Sequence, residues 1–259
     1  MTGVQTCALP IYLQRQIIHN QSDIGKNKAQ SAKEKVLQLN PNVKVNLHEV
    51  RLDTTNALEI FSTYDLIIDC TDNFATRYLV NDAAALLGKP YIWGSIYRFD
   101  GQASVFWSKE GPCYRCLHPT PPPAGSVPSC AEGGVLGVLC GAIGSIQSNE
   151  ALKLITGVGN SLLGSLLIYD ALDSSYKKVE IKKSTKCPIC NGSQSSLLPD
   201  YEEFCGIGET ITAQELRMKS GYFLIDVREP DEHAALSIPG AVLIPDRKST
   251  RLNSSHLGI

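Results

Sequence analysis
No apolar stretch in this sequence approaches the length of a membrane span. The run Val135–Ile146 comes nearest, and its three glycines and short length read as a buried helix. Neither sign of charge dominates: 24 Lys+Arg stand against 26 Asp+Glu, a net of −2, so nothing points to nucleic acid or an anionic membrane as partner. No internal repeat and no dinucleotide fingerprint loop is visible. The nine cysteines are odd in number, include two tight Cys-x-x-Cys pairs and follow no signal peptide, which argues against a secreted disulfide framework. Metal-bound and reactive thiols in a reducing cytoplasm fit better. Hydrophobic residues at 43% and charged residues at 19% are ordinary for a globular protein. A chain of 259 residues has room for one full α/β domain and part of another, or two small ones.

The two ends stand apart. Met1–Ile11 has no helical or strand periodicity, and Arg247–Ile259 is polar and patternless. Both resemble translated sequencing-adapter read-through, so residues 1–12 and 247–259 are expected to lie outside the native fold, with no role for Cys7.

Between them the pattern is regular. Ala29–Leu39 reads as a helix with Ala32, Val36 and Leu39 on one face, stopped at Asn40-Pro41. Val43–Leu52 alternates and reads as a strand, and Asn56–Phe61 as a short helix. Tyr64–Cys70 reads as a strand with a continuous apolar centre, as in a parallel sheet covered on both faces. A helix bearing Leu79, Val80, Ala83, Ala84 and Leu87 follows, closed by Gly88-Lys89-Pro90. This alternation predicts a doubly wound, Rossmann-like α/β domain. Tyr91–Ile96 and Gln102–Trp107 read as a hairpin with Asp100-Gly101 in its turn. A proline-rich loop at Pro119–Pro128, a glycine-bearing helix at Val135–Ile155 and a strand pair at Leu162–Asp170 and Tyr176–Lys182 complete the domain. Asn191–Pro199 is rich in Ser and Gly, as a linker would be.

Three groups carry chemistry. Cys113-Tyr114-Arg115-Cys116 and Cys187-Pro188-Ile189-Cys190 are two knuckles that can place four thiolates around a structural zinc ion, although a redox dithiol or free core cysteines use the same residues. Asp69-Cys70-Thr71-Asp72-Asn73 ends an apolar strand, where open α/β sheets bind ligands. A carboxylate there can hold Mg²⁺ while a helix N-terminus favours phosphate, or Asp72 or Asn73 can simply cap the helix. Arg15 and Lys28 are unremarkable alone. Converging on Asp72, they would clamp a triphosphate. Cys130, just before the glycine-bearing helix, is either an activated nucleophile or an inert buried thiol.

Taken together, Leu13-Gln14-Arg15-Gln16, Gly25-Lys26-Asn27-Lys28, Cys70-Thr71-Asp72-Asn73, the two knuckles and Pro128-Ser129-Cys130-Ala131-Glu132-Gly133-Gly134-Val135-Leu136-Gly137 resemble the MoeB/ThiF/HesA family. These are bacterial relatives of the ubiquitin-activating enzyme. The resemblance covers residues 13–191. It implies a homodimeric adenylyltransferase that uses ATP and Mg²⁺ on the C-terminal glycine carboxylate of a ubiquitin-like sulfur carrier of the MoaD or ThiS type. Arg15 and Lys28 then become phosphate-binding cations, Asp72 with Asn73 the Mg-ATP element, and Cys113, Cys116, Cys187 and Cys190 zinc ligands. Cys130 matches a cysteine that takes part in a thioester or persulfide step where a sulfurtransferase is fused. After a linker at 192–204, residues 205–246 resemble the start of a rhodanese domain, through Ile211–Leu216, Leu224–Glu229 and Ile238–Ala241, with Asp226 and Arg228 structural.

The sequence also departs from that pattern. The family's glycine-rich nucleotide loop, first strand and ribose-binding acid would precede Leu13, Tyr12 stands where relatives carry Asn, and the rhodanese cysteine would lie beyond Asp246. Cys140 stands where relatives usually carry proline. The expectation is an enzymatic parent protein, with weak or absent ATP binding in this chain. Alternative readings are a ThiF-type activator in thiamine synthesis and a non-catalytic, zinc-stabilised module that docks a ubiquitin-like partner.

Overall fold
The computed structural model describes residues 7–123, 126, 134–206, 221, 223–226, 230–235, 237 and 239–245. The chain divides into two compact units, Thr2–Glu209 and Thr210–Ile259.

The larger unit is built on a mixed sheet. Helices α1 (Lys28–Leu39) and α2 (Ala57–Ser62) precede strand β1 (Ile67–Asp69), helix α3 (Phe74–Leu86), and the hairpin β2 (Tyr91–Tyr97) and β3 (Asp100–Phe106). The one-turn helix α4 (Tyr114–Leu117), the long helix α5 (Val138–Thr156), the hairpin β4 (Ser165–Asp170) and β5 (Ser175–Glu180), and the one-turn helix α6 (Tyr201–Phe204) follow. Strand order is β1-β2-β3-β4-β5, parallel between β1 and β2 and antiparallel elsewhere. The parallel pair is joined through α3, the βαβ unit that the alternating pattern predicted. Alternate residues of β2 then face opposite ways: Tyr91 and Trp93 pack with α3, while Ile92 packs with Ala151 of α5. Both faces of β2 are thus covered by a helix, which suits the continuous apolar start of that strand, Tyr91-Ile92-Trp93, whereas the edge strand β5 is exposed along its length.

Two local readings need correction. Val43–Leu52 is no strand: alternation suits a half-buried strand, but most of these residues are exposed and no neighbouring strand pairs with them among the described residues. Asp100 and Gly101 open β3 instead of forming the turn. The turn is Arg98-Phe99, with Arg98 in the left-handed region at φ 50°. Gly101 serves packing, since a Cβ there would stand 2.5 Å from Ile143 Cδ1 of α5. Residues 192–204, expected as a linker, lie against the larger unit: Leu197, Leu198, Tyr201 and Phe204 join the cluster of Tyr78, Trp93 and Tyr114. Within the stretch expected to be foreign, Cys7 and Ala8 bridge Asn27 and Ile24, and Ala8 is buried.

In the smaller unit, strands β6 (Ile225–Asp226) and β7 (Val242–Leu243) are parallel and flank helix α7 (Pro230–Ala235). His233 Nδ1 lies 2.8 Å from Asp226 Oδ2, which ties the helix to its strand. Arg228 lies outside the described residues. No helix among the described residues is long and apolar enough to cross a membrane.

Candidate functional site
Two sites emerge, one metal-binding and one a cavity. The short helix α4 and the turn at Cys187–Cys190 bring four sulfurs within 4.8 Å of one another. Cys113 and Cys116 Sγ are 3.9 Å apart, Cys113 and Cys187 3.5 Å, and Cys116 and Cys190 3.6 Å. Tetrahedral zinc with bonds of about 2.3 Å requires sulfur–sulfur edges of about 3.8 Å, so the cluster fits a structural zinc ion with no open position. The Ser184 amide donates to Cys116 Sγ at 3.4 Å, an outer contact that orients the ligand.

The knuckle is anchored from within. Arg115, between the two cysteines, donates from Nε and Nη2 to the two oxygens of Asp82 on α3, both at 2.8 Å. Asp82 also accepts from Asn81 Nδ2, Gln194 Nε2 and Tyr201 OH at 2.9, 3.1 and 2.7 Å. The guanidinium lies over the rings of Tyr78 and Phe204. The ion pair is fully buried, at 3% and 0% side-chain exposure, and its remaining lone pairs are satisfied, the condition under which a buried pair is tolerated.

The cavity, about 850 Å³, opens at the carboxyl end of β1. Arg15, Lys28, Asp72 and Asn73 all line it, as do Tyr12, Arg77, Cys140 and Gln147. Lys28 is the first residue of α1, whose N-terminus is capped by Asn27 Oδ1 accepting from the Ala29 and Gln30 amides. Burial pushes the Lys28 amine below its usual value, the Asp72 carboxylate pulls it back up, and Arg15 pushes it down again. Asp72 and Arg15 are therefore both within electrostatic reach of Lys28. Arg15 and Lys28 also lie over the Tyr12 ring, 4.7 and 4.2 Å from its centroid.

The open question about the Asp72-Asn73 pair has a geometric answer. Asn73 caps α3, its Oδ1 accepting from the Thr76 amide at 2.8 Å, and this leaves Asp72 exposed at the cavity and outside the cap. Beneath the loop, the Asp69 carboxylate accepts from Tyr91 OH at 2.6 Å and from the Thr71 amide at 2.8 Å. Gln147 of α5 donates to the Asp69 carbonyl at 2.7 Å and fills the space over Gly94, where a Cβ would stand 2.6 Å from its amide carbon. Arg77 and Gln147 were not foreseen. The four-residue spacing from Asn73 to Arg77, one turn along a helix, was the available signal for the first. Cys130 lies outside the described residues.

A mixed sheet with a helix on each face, a cavity bearing charged side chains at a strand's carboxyl end and a four-cysteine clasp together define a Rossmann-like α/β domain with a structural metal centre. The chain belongs to the ThiF family, whose sequence profile matches residues 12–189. It is 54% identical over 251 residues to the probable adenylyltransferase/sulfurtransferase MoeZ of Mycobacterium tuberculosis, covering 90% of this chain and 63% of the relative. It is 51% identical over 201 residues to the sulfur carrier protein adenylyltransferase of Thermus thermophilus, covering 75% and 74%. Against the adenylyltransferase and sulfurtransferase MOCS3 of Drosophila ananassae the identity is 40%, over 89% of this chain and 55% of the relative. The chain thus spans 63% of the length of its Mycobacterium tuberculosis relative. Among solved structures, E. coli MccB with MccA-N7isoASN superposes with a TM-score of 0.62 at 17% identity, over 71% of this chain and 57% of that one, a likeness of fold.

Proposed function
We propose that the protein containing this chain adenylates the C-terminal glycine carboxylate of a small ubiquitin-like sulfur carrier of the MoaD or ThiS type, with ATP and Mg²⁺. The observation that carries this reading is the convergence of Arg15, Lys28 and Asp72 on one cavity. Carboxylate attack on the α-phosphorus expels pyrophosphate, and both the approach and the departure concentrate negative charge. Two cations held in a partly desolvated site neutralise that charge without covalent chemistry, and substrate positioning supplies the rest. Asp72, free of the helix cap, is the residue that would hold Mg²⁺, which supplies further charge neutralisation when bound. Asn73 lines the same wall with its oxygen committed to the cap.

Names borne by the relatives, a sulfur carrier protein adenylyltransferase and combined adenylyltransferase/sulfurtransferases, support the carrier and the coupling to sulfur delivery. Molybdopterin synthesis or a related sulfur-transfer pathway is the setting we favour. The smaller unit would then belong to a rhodanese-like domain, with Cys130 available to a thioester or persulfide step. A second copy of the chain is the partner suggested by α5, which buries Leu139 and Ile143 yet exposes Leu152 and Ile155 at 59% and 69%. The eight described cysteines form no disulfide, which suits a cytoplasmic setting.

The test is carrier-dependent exchange of labelled pyrophosphate into ATP, measured with this sequence carried in a chain of its relatives' length. Exchange that Asp72→Ala abolishes while carrier binding persists supports the reading. Full exchange in that variant refutes it.

A further inference from the structure
One buried cation of the cavity wall has no place in that account. Arg77 is 8% exposed and sits one helical turn into α3. Its Nε and Nη2 both donate to the Thr71 carbonyl, at 3.3 and 3.2 Å. The amide of the same residue is held by Asp69 Oδ1 at 2.8 Å. Thr71 is therefore gripped at both backbone groups, from α3 on one side and from β1 on the other. Two residues further on, the Asn73 cap fixes the start of α3. Asp72 is the residue between these fixed points.

We propose that Arg77 is a positioning residue that aims Asp72 into the cavity by fixing the backbone of Thr71. The inference rests on the adenylation reading for its consequence, and on the hydrogen bonds alone for its mechanism. A guanidinium suits the task because two N–H groups in one plane converge on a single oxygen, whereas an ammonium offers one freely rotating donor set. Its orientation is set by packing: the guanidinium lies 5.4 Å from the Phe74 ring centroid and 5.8 Å from that of Trp93. The positive charge also reaches outward: burial pushes the Tyr114 phenol up and Arg77 pulls it partly back, while burial first and Arg77 second hold the His118 imidazole below its usual value. Asp72 itself has no cap to make, so without the grip on Thr71 its carboxylate would sample directions away from Lys28.

The test uses Arg77→Lys, with Arg77→Gln should the first variant not fold. Amide hydrogen exchange on this chain should show the wild-type Thr71 amide protected, and exchange across residues 70–73 faster by about 10-fold in the variant while the zinc knuckles are unchanged. In pyrophosphate exchange the variant should lose kcat by up to about 100-fold with little change in the carrier's KM, the signature of a displaced group and not of lost binding. Exchange at 70–73 equal to wild type, or unchanged kcat in folded variant, overturns the proposal. So does a lowered Tm with full activity per folded molecule. Activity retained by Asp72→Ala would sink the adenylation reading separately, and hydrogen exchange would then judge the Thr71 grip by itself.

Discussion

Replacing Arg115 with leucine should be among the most damaging single changes in the larger unit. The substitution keeps apolar volume beside Tyr78 and Phe204 but strands the Asp82 carboxylate, which is 0% exposed. Five donors serve Asp82 in the wild type, and three neutral ones would remain, from Asn81, Gln194 and Tyr201. Removing one partner of a buried pair costs about 3–5 kcal/mol. The lost contact with two rings adds roughly 0.5–2 kcal/mol, part of which the leucine side chain restores by packing. Set against a total stability of about 5–15 kcal/mol, the variant should be poorly folded at 37 °C. The assay is urea unfolding at fixed zinc concentration, followed by Trp93 and Trp107 fluorescence. The double change Arg115→Leu with Asp82→Leu removes the stranded charge and should cost less than Arg115→Leu alone. A single-variant loss below about 1 kcal/mol, or a double variant worse than the sum of the singles, would refute the reasoning.

Metal analysis should find one zinc per chain, and Cys113→Ser or Cys187→Ser should lose both the metal and the cooperative unfolding transition, because metal binding is folding free energy here. Retention of full stability after chelation would count against a structural centre. The Lys28 amine releases its proton below the ordinary lysine value of 10.5. Nucleotide affinity, which needs the charged form, should therefore fall on the alkaline side at a pH lower than an exposed lysine would give, and Lys28→Arg should move that limb upward. An unchanged limb in Lys28→Arg would assign the titration to another group. Gly94→Ala should displace Gln147 from the Asp69 carbonyl and cost about 1–3 kcal/mol by thermal unfolding, and a neutral result would show that the Gln147 side chain yields freely.

The metal centre was legible because chemistry fixes it locally: two thiols three residues apart on a tight turn can face one ion whatever the rest of the chain does. The βαβ unit was legible for a similar reason, since an apolar strand followed by a helix with one apolar face has few ways to bury both. Val43–Leu52 misled because alternation reports a preference for half-burial and carries no information on whether a neighbouring strand is there to pair. Asp100-Gly101 misled because glycine answers two different needs, a turn or a close approach, and only the position of Ile143 distinguishes them. The roles of Asp72 and Asn73 were degenerate on spacing alone, as either can cap a helix. The hydrogen bond from Thr76 to Asn73 separates them. Arg15 and Lys28 could be joined to Asp72 in advance only through the family resemblance. Arg77 escaped notice because its partner is a backbone carbonyl, so its spacing from Asn73 could place it one turn into α3 but not name what it binds.

A crystal structure of this sequence carried in a chain of its relatives' length, with Mg²⁺ and a non-hydrolysable ATP analogue, tests the central claim most directly. The account predicts triphosphate oxygens against Arg15 and Lys28, with the metal ion at the Asp72 carboxylate and the Asn73 cap intact. A nucleotide bound elsewhere on the chain, with those three side chains turned away from it, would contradict the account.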